Sequence, residues 1–224
     1  MAGPYVKDIY LPSGIATLTW AELFALNPAS YNPGQIFHVT DVGVGGSYWY
    51  SNGVRWRPVN GACWLYNLPA DVAHPGTSGT SSTATRMADF LIPAGLIQDG
   101  DMIEVHASID ASAVGDTATN YFRLGTSRTA ADASLGSYAQ PSGASNLLGS
   151  TNKRYRRKSA TTLRVLDAVG ATGLGISSTT ALQAFTVPDM DTTAQYLGFY
   201  THETTGGVRV CTLRNLAVEL IAGA

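Results

Sequence analysis

The chain has 224 residues, with 14 basic and 16 acidic side chains and a net charge of -2, which leaves no global field to recruit nucleic acid or an anionic membrane. Charged residues make up only 13% while glycine contributes 24 residues and proline 10, a balance that excludes long helices and disorder and allows a well-buried core. No apolar run approaches the ~20 residues of a membrane span, and the opening MAGPYVKDIY lacks a signal peptide's apolar stretch; the expectation is a chain made and assembled in a cytoplasm. Cys63 and Cys211 are far apart and show no ligand spacing, which predicts buried free thiols.

Residues 1–14 read as an extended, proline-containing arm. Thr19-Trp20-Ala21-Glu22 is a capping box ahead of an apolar run, predicting one short helix ended by Asn27-Pro28. Residues 36–40 are rich in strand formers, 41–46 form a Gly-rich turn, and 47–50 read as the next strand. Asn52-Gly53 then signals a hairpin, because a type I′ turn needs positive φ at both central residues. With those two residues as the loop, Trp49 faces Trp56, Tyr50 faces Arg55 and Tyr48 faces Arg57. Trp49, Val54 and Trp56 then form the core face, and Tyr48, Tyr50, Arg55 and Arg57 an exposed cation–π ladder. The result is a three-stranded meander with one helix over residues 1–62, a size marginal by itself. All four Trp residues fall within the first 64 positions, and a Ser/Thr/Gly-rich stretch follows at 74–83, so 63–86 reads as a linker.

Residues 87–224 change pattern. In 103–110 the odd positions are apolar and the even ones polar, the signature of a half-buried antiparallel strand. Further strands are predicted over 87–92, 120–124, 161–169, 182–187, 195–201 and 208–221, separated by turn signals at Pro93-Ala94-Gly95, Asp99-Gly100-Asp101, Pro188-Asp189 and Thr205-Gly206-Gly207. The fold class is mainly β: the small meander module, then a jelly-roll-like antiparallel β-sandwich. An up-and-down barrel is the alternative.

Two stretches carry a resemblance. His38-Val39-Thr40-Asp41, Trp49, Ser51-Asn52-Gly53 and the run Arg55 through Gly61 resemble the small N-terminal module of bacteriophage tail-fibre and related virion proteins. The segment 90–101, with the alternating strand after it, looks like the opening of the β-sandwich that ends many phage tail and head appendage proteins. The resemblance implies a non-enzymatic virion protein: a homotrimer that contacts other virion proteins through its N-terminal module and binds a host-surface receptor, such as a polysaccharide or lipopolysaccharide, as a tail fibre or tail tip. A capsid decoration or cement protein, or a head fibre, is the alternative, since no repetitive shaft is present. A carbohydrate-binding module unconnected with a virus is the third reading.

Lys153-Arg154-Tyr155-Arg156-Arg157-Lys158 puts five of the 14 basic residues into six positions and is the candidate ligand-binding stretch. It would meet an anionic partner, with Tyr155 as a stacking face; a nucleic acid is set aside on the overall charge. As a strand the run would bear charge on both faces, so an edge strand or loop guarded by its charges is expected, not a central strand. The cluster Trp49, Trp56, Trp64 and Tyr66 reads as module core before a sugar-stacking platform. Leu197 and Phe199 share one strand face and should be buried, with Tyr196 and Tyr200 on the other.

Catalytic signatures are missing. No nucleophile elbow, phosphate loop, dinucleotide fingerprint or Cys-x-x-Cys occurs, and His38, His74, His106 and His202 are isolated. Asp99-Gly100-Asp101 and Asp189-Met190-Asp191 suit turns before Ca²⁺. Glu104 and Asp110 on one strand lie about 20 Å apart, too far for a glycosidase pair. The expectation is no enzyme, no metal and no cofactor.

Overall fold

Thr19 does cap the only α-helix among the described residues, α1 (Trp20–Ala25): its hydroxyl accepts from the Glu22 amide at 3.3 Å, and Glu22 accepts from the Thr19 amide at 2.7 Å. The computed structural model describes residues 15–73, 84–111, 118–140, 147–166, 184–203 and 211–223. The expected arm over 1–14, the stretch 74–83 and the Thr205-Gly206-Gly207 turn lie outside them. Four strands surround the helix: β1 (Ala16–Leu18), β2 (Ile36–Val39), β3 (Ser47–Ser51) and β4 (Trp56–Pro58), in that spatial order. The expected meander thus gains a strand, and β1 runs parallel to β2. A parallel neighbour needs a crossover, which α1 and a 3₁₀ turn at Pro28–Ser30 provide.

The hairpin differs from its expected register by two residues. Ser51 pairs with Trp56, Tyr50 with Arg57 and Trp49 with Pro58. The loop is four residues long because the Asn52 carboxamide accepts from both the Val54 and Arg55 amides, at 3.0 and 2.9 Å, closing an Asx turn in place of the two-residue turn. A shift of two preserves face parity. Trp49 and Trp56 are accordingly buried, whereas Val54 is left in the exposed loop. Arg57 leaves the expected cation–π ladder for a buried ion pair described below.

The remaining strands are β5 (Ala62–Asn67), β6 (Val72–Ala73), β7 (Thr85–Ile92), β8 (Met102–Ala111), β9 (Ala118–Gly125), β10 (Ala133–Gln140), β11 (Leu147–Ser159), β12 (Thr162–Val165), β13 (Ala184–Thr186), β14 (Gln195–Glu203) and β15 (Cys211–Ile221). They form two antiparallel sheets, a large one in the order β13-β12-β11-β8-β15-β5 with β6 also on β15, and a small one in the order β10-β9-β14-β7. This is the expected β-sandwich. The stretch 63–86, expected as a linker, carries most of β5, all of β6 and the start of β7. β10 had no strand signal, because its sequence ASLGSYAQ is poor in β-branched residues; its ladder is interrupted between Ser134 and Ser137.

The core fills the space between the sheets as the alternation in β8 predicts. Ile103, Val105 and Ile109 are fully buried, with Leu213 and Val218 of β15 beside them and Phe122 and Phe199 of the small sheet in the same cluster. Cys63 and Cys211 are buried free thiols. Leu197 and Phe199 are inward, and Tyr196 lies under the Arg128 guanidinium at 4.6 Å.

The basic run corrects the edge-strand expectation. β11 pairs with β8 on one side and β12 on the other, so it is an interior strand. Its inward residues are Thr151, Lys153, Tyr155 and Arg157; its outward ones are Asn152, Arg154, Arg156 and Lys158. An inward cation is tolerated at Arg157 because its guanidinium is matched by carboxylates: it donates to Asp99 and Asp191, each at 2.8 Å, and to the Ile97 carbonyl. Tyr155 is satisfied by the Leu135 carbonyl at 3.1 Å.

The meander packs on the sandwich through a polar anchor. Arg57 Nη1 lies 2.6 Å from Asp101 Oδ1, with both side chains almost completely buried. Asp101 also accepts from the Gln98 amide at 2.9 Å and the Gly223 amide at 2.8 Å, while Arg57 donates to the Gly223 carbonyl. Trp20 donates its indole N–H to the Ala94 carbonyl at 2.9 Å. Truncating one member of such a pair leaves a buried charge unmatched. Arg57→Ala should therefore cost about 3–5 kcal/mol, read as a lowered urea midpoint, and a cost under about 1 kcal/mol would mean that the pair is hydrated in solution.

Candidate binding face

The outer face of the large sheet is assembled from alternate residues of neighbouring strands. Register puts Trp64 of β5 opposite Glu219 of β15, Glu219 opposite Glu104 of β8, and Glu104 opposite Arg154 of β11. A second row runs Asn67, Ala217, His106, Asn152, and a third runs Ala62, Ile221, Met102, Arg156, Arg164. The face is polar in its middle and carries an indole at one end.

Trp64 reaches that face because β5 contains an irregularity. Tyr66 pairs with Val218 and Trp64 with Glu219, so two residues of β5 span one step of β15. Simple alternation would put Trp64 and Tyr66 on the same side. The bulge instead turns Tyr66 inward to stack on Phe90 at 5.2 Å and leaves Trp64 48% exposed. The expected aromatic core cluster therefore divides: Trp49 and Trp56 are core, and Trp64 is surface.

The Gly-rich loop over 41–46 supplies the wall beside it. Its Val44 amide donates to the Trp64 carbonyl at 3.0 Å, which fixes the loop to β5 and leaves Val44 exposed next to the indole. Gly46 has φ +86°, and a Cβ there would lie 2.6 Å from His38 Nε2 and 2.9 Å from the Val39 carbonyl, so only glycine fits this close approach. Two grooves meet at Trp64 and Val44. One, of about 450 Å³, runs along the meander past Ile15, Ile36, Tyr48 and Val59; the other, of about 470 Å³, opens over Asn67, Asn215 and Ala217.

Polar groups on the face are held in fixed positions. Glu104 accepts from Asn152 Nδ2 at 2.7 Å and Arg154 Nε at 3.0 Å, and His106 Nε2 lies 3.3 Å away. Burial alone would raise the Glu104 pKa. The hydrogen bonds from Arg154 and Asn152, with the charges of Arg154 and His106, outweigh it and hold the carboxyl below its ordinary value. Trp64 and His106 have ring centroids 6.0 Å apart. At the far end of β8, Asp110 accepts from Arg214 at 2.9 Å.

Of the six residues predicted to bind an anion, Arg154, Arg156 and Lys158 belong to this face, while Lys153, Tyr155 and Arg157 point into the sandwich. The turn carboxylates are occupied structurally: Asp99 and Asp191 by Arg157, and Asp101 by Arg57. Among the described residues no group of three His, Cys, Asp or Glu side chains is placed to hold a metal ion.

No protein-family model matches the chain, and no curated protein matches it by sequence. Two solved structures are similar in part. One is the CBM2 module of the evolved Dit of Lactobacillus casei BL23 phage J-1, 8% identical with a TM-score of 0.37, the match covering 73% of this chain and 98% of that one. The other is a candidate sugar-binding protein from Bacteroides thetaiotaomicron VPI-5482, 11% identical with a TM-score of 0.34, over 91% and 92% of the two chains. Both likenesses are too low to decide anything about this chain.

Because the Glu104 pKa is lowered by folding, the stability it contributes is complete above its unfolded value of about 4.3 and is lost as pH falls through the folded value. Urea midpoints followed from about pH 6 down to about pH 3 should fall less steeply for Glu104→Gln than for the unaltered chain. Equal slopes would show that the Arg154 and Asn152 bonds to Glu104 do not persist in solution.

Proposed function

We propose that the protein is a non-enzymatic binding protein of a bacteriophage virion, which holds a host-surface polysaccharide on the outer face of its large sheet with Trp64 as the stacking platform. The observation that carries this reading is the position of Trp64. A large indole held half-exposed on a sheet, between two grooves, presents an apolar face against which the C–H face of a sugar ring packs. The amides of Asn67 and Asn215 border the groove on one side of it and offer donors and acceptors for sugar hydroxyls. Glu104, Asn152 and Arg154 in the middle of the face are tied to one another, and this pre-orders that part of the surface before any ligand arrives.

The virion setting rests on the resemblance of His38–Asp41 and of the Ser51-to-Gly61 run to phage appendage modules. In that setting the working unit is a homotrimer. Single glycan contacts are weak, and three copies on one axis raise avidity without any new contact. The meander contacts other virion proteins, and the sandwich presents the binding face.

Light scattering should give a mass near three times 23.6 kDa; a monomer would remove the trimeric appendage from this reading. Trp64→Ala should weaken binding to purified host polysaccharide about tenfold or more, equal to the loss of about 1.4 kcal/mol, with the urea midpoint little changed. Retention of full binding would rule out the platform. Adherence of the free protein to empty heads and not to cells would favour a decoration role instead.

A further inference from the structure

The register between β11 and β12 sets Arg156 directly opposite Arg164. Directly opposed residues of antiparallel strands share a face with Cα atoms about 4.5–5.5 Å apart, and like charges so placed destabilise the pair. Most other arginines among the described residues are matched with acids: Arg57 with Asp101, Arg86 and Arg128 with Asp89, Arg154 with Glu104, Arg157 with Asp99 and Asp191, Arg214 with Asp71 and Asp110. Among the described residues, none of Arg156, Arg164 and Lys158 has a carboxylate partner. Arg164 Nε, like Arg123 Nε, is in addition buried without a hydrogen-bond partner among the described residues. Across the neighbouring strands stand Met102, opposite Arg156, and Ala184, opposite Arg164, neither of which has a side-chain acceptor. Lys158 is the next outward residue of β11, about 6.6–6.8 Å along the strand from Arg156.

We propose that Arg156, Arg164 and Lys158 form an anion subsite, taking the acidic group of a polysaccharide that runs across the sheet from Trp64. This rests on the reading of Trp64 as a glycan platform and adds the chemical class of the glycan: it carries a carboxylate, sulfate or phosphate. One oxyanion bridging the two guanidiniums would relieve their repulsion through charge-assisted bonds. Arg154 takes no part, being neutralised by Glu104.

The spacing suits a polymer. Three strand steps separate β5 from β11, about 14–15 Å at 4.7–4.9 Å each, so that the stacked ring and the bound acid belong to different sugars of one chain. The distribution of charge favours a glycan over a nucleic acid. Between Trp64 and the arginines lies Glu219, with Glu104 beyond it already matched by Arg154; the Glu219 carboxylate would repel a continuous row of phosphates but not a chain with one acid every few sugars.

Titration of the full chain with polygalacturonate, its methyl-esterified form and a single-stranded DNA oligonucleotide tests this, with Arg156→Gln/Arg164→Gln and Trp64→Ala as variants. The expected result is binding to polygalacturonate that weakens with salt, at least about tenfold tighter than to the ester, with that preference lost in the double variant. The thermal midpoint of the unaltered chain should also rise more in sulfate than in chloride of equal ionic strength, by a margin the double variant lacks. Phosphate and acetate, compared as competitors of polygalacturonate, would distinguish a phosphate-bearing from a carboxylate-bearing glycan. Equal affinity for acid and ester, or an unchanged preference in the double variant, would overturn the subsite while leaving the Trp64 reading in place. Loss of binding in the double variant with full binding in Trp64→Ala would keep the subsite and reject the platform. Tighter binding of the oligonucleotide, lost in the double variant, would overturn the glycan assignment.

Discussion

Asp101 is the point on which the arrangement of this molecule depends. A carboxylate almost completely withdrawn from water must be matched, and it is matched from three directions: Arg57 of the meander, the Gly223 amide at the end of the chain, and the Gln98 amide of its own turn. Those contacts bring together the last strand of the meander, the end of β15 and the entry into β8. Arg57 can serve because strand alternation places it on the face opposite the tryptophans. The meander, of a size marginal by itself, shares one hydrophobic cluster with the sandwich, and the polar anchor sets the orientation in which that cluster is shared.

The groove beside Trp64 follows from this arrangement. β5 begins four residues after β4 ends, so the strand that leaves the meander enters the large sheet at once. The tether between the Val44 amide and the Trp64 carbonyl then closes the loop over 41–46 against that strand. An indole on a central strand would be packed by neighbours on both sides. On β5, at the edge of the strand order, with the glycine loop on one side and the His106 ring 6.0 Å away, it remains half-exposed on a rigid support.

Charge on the large sheet is handled in two ways. The inward Arg157 is matched by two carboxylates and a carbonyl; outward arginines are either paired, like Arg154, or left facing one another, like Arg156 and Arg164. The second arrangement is unfavourable for the isolated chain, and stability alone gives no reason for it. A binding surface gives one, since the unmatched charge is matched when the ligand arrives.

The sequence by itself determined the elements whose signals are local. The capping box at Thr19, the alternation over 103–110, the inward pair Leu197 and Phe199 and the mainly-β sandwich all follow from spacing within a few residues, because period and caps are properties of a single strand or helix. Tertiary structure decided the rest. Whether Asn52 would close a two-residue or a four-residue loop depended on which backbone amides its carboxamide reached. Whether 153–158 could be central depended on acids 58 and 34 residues away from Arg157, which no local pattern reveals. The exposure of Trp64 on the outer face depended on one bulge: alternation places Trp64 with Tyr66, and only pairing with β15 turns the first outward and the second inward. A face is made of residues from different strands, and their meeting is fixed by register, which exists only between strands.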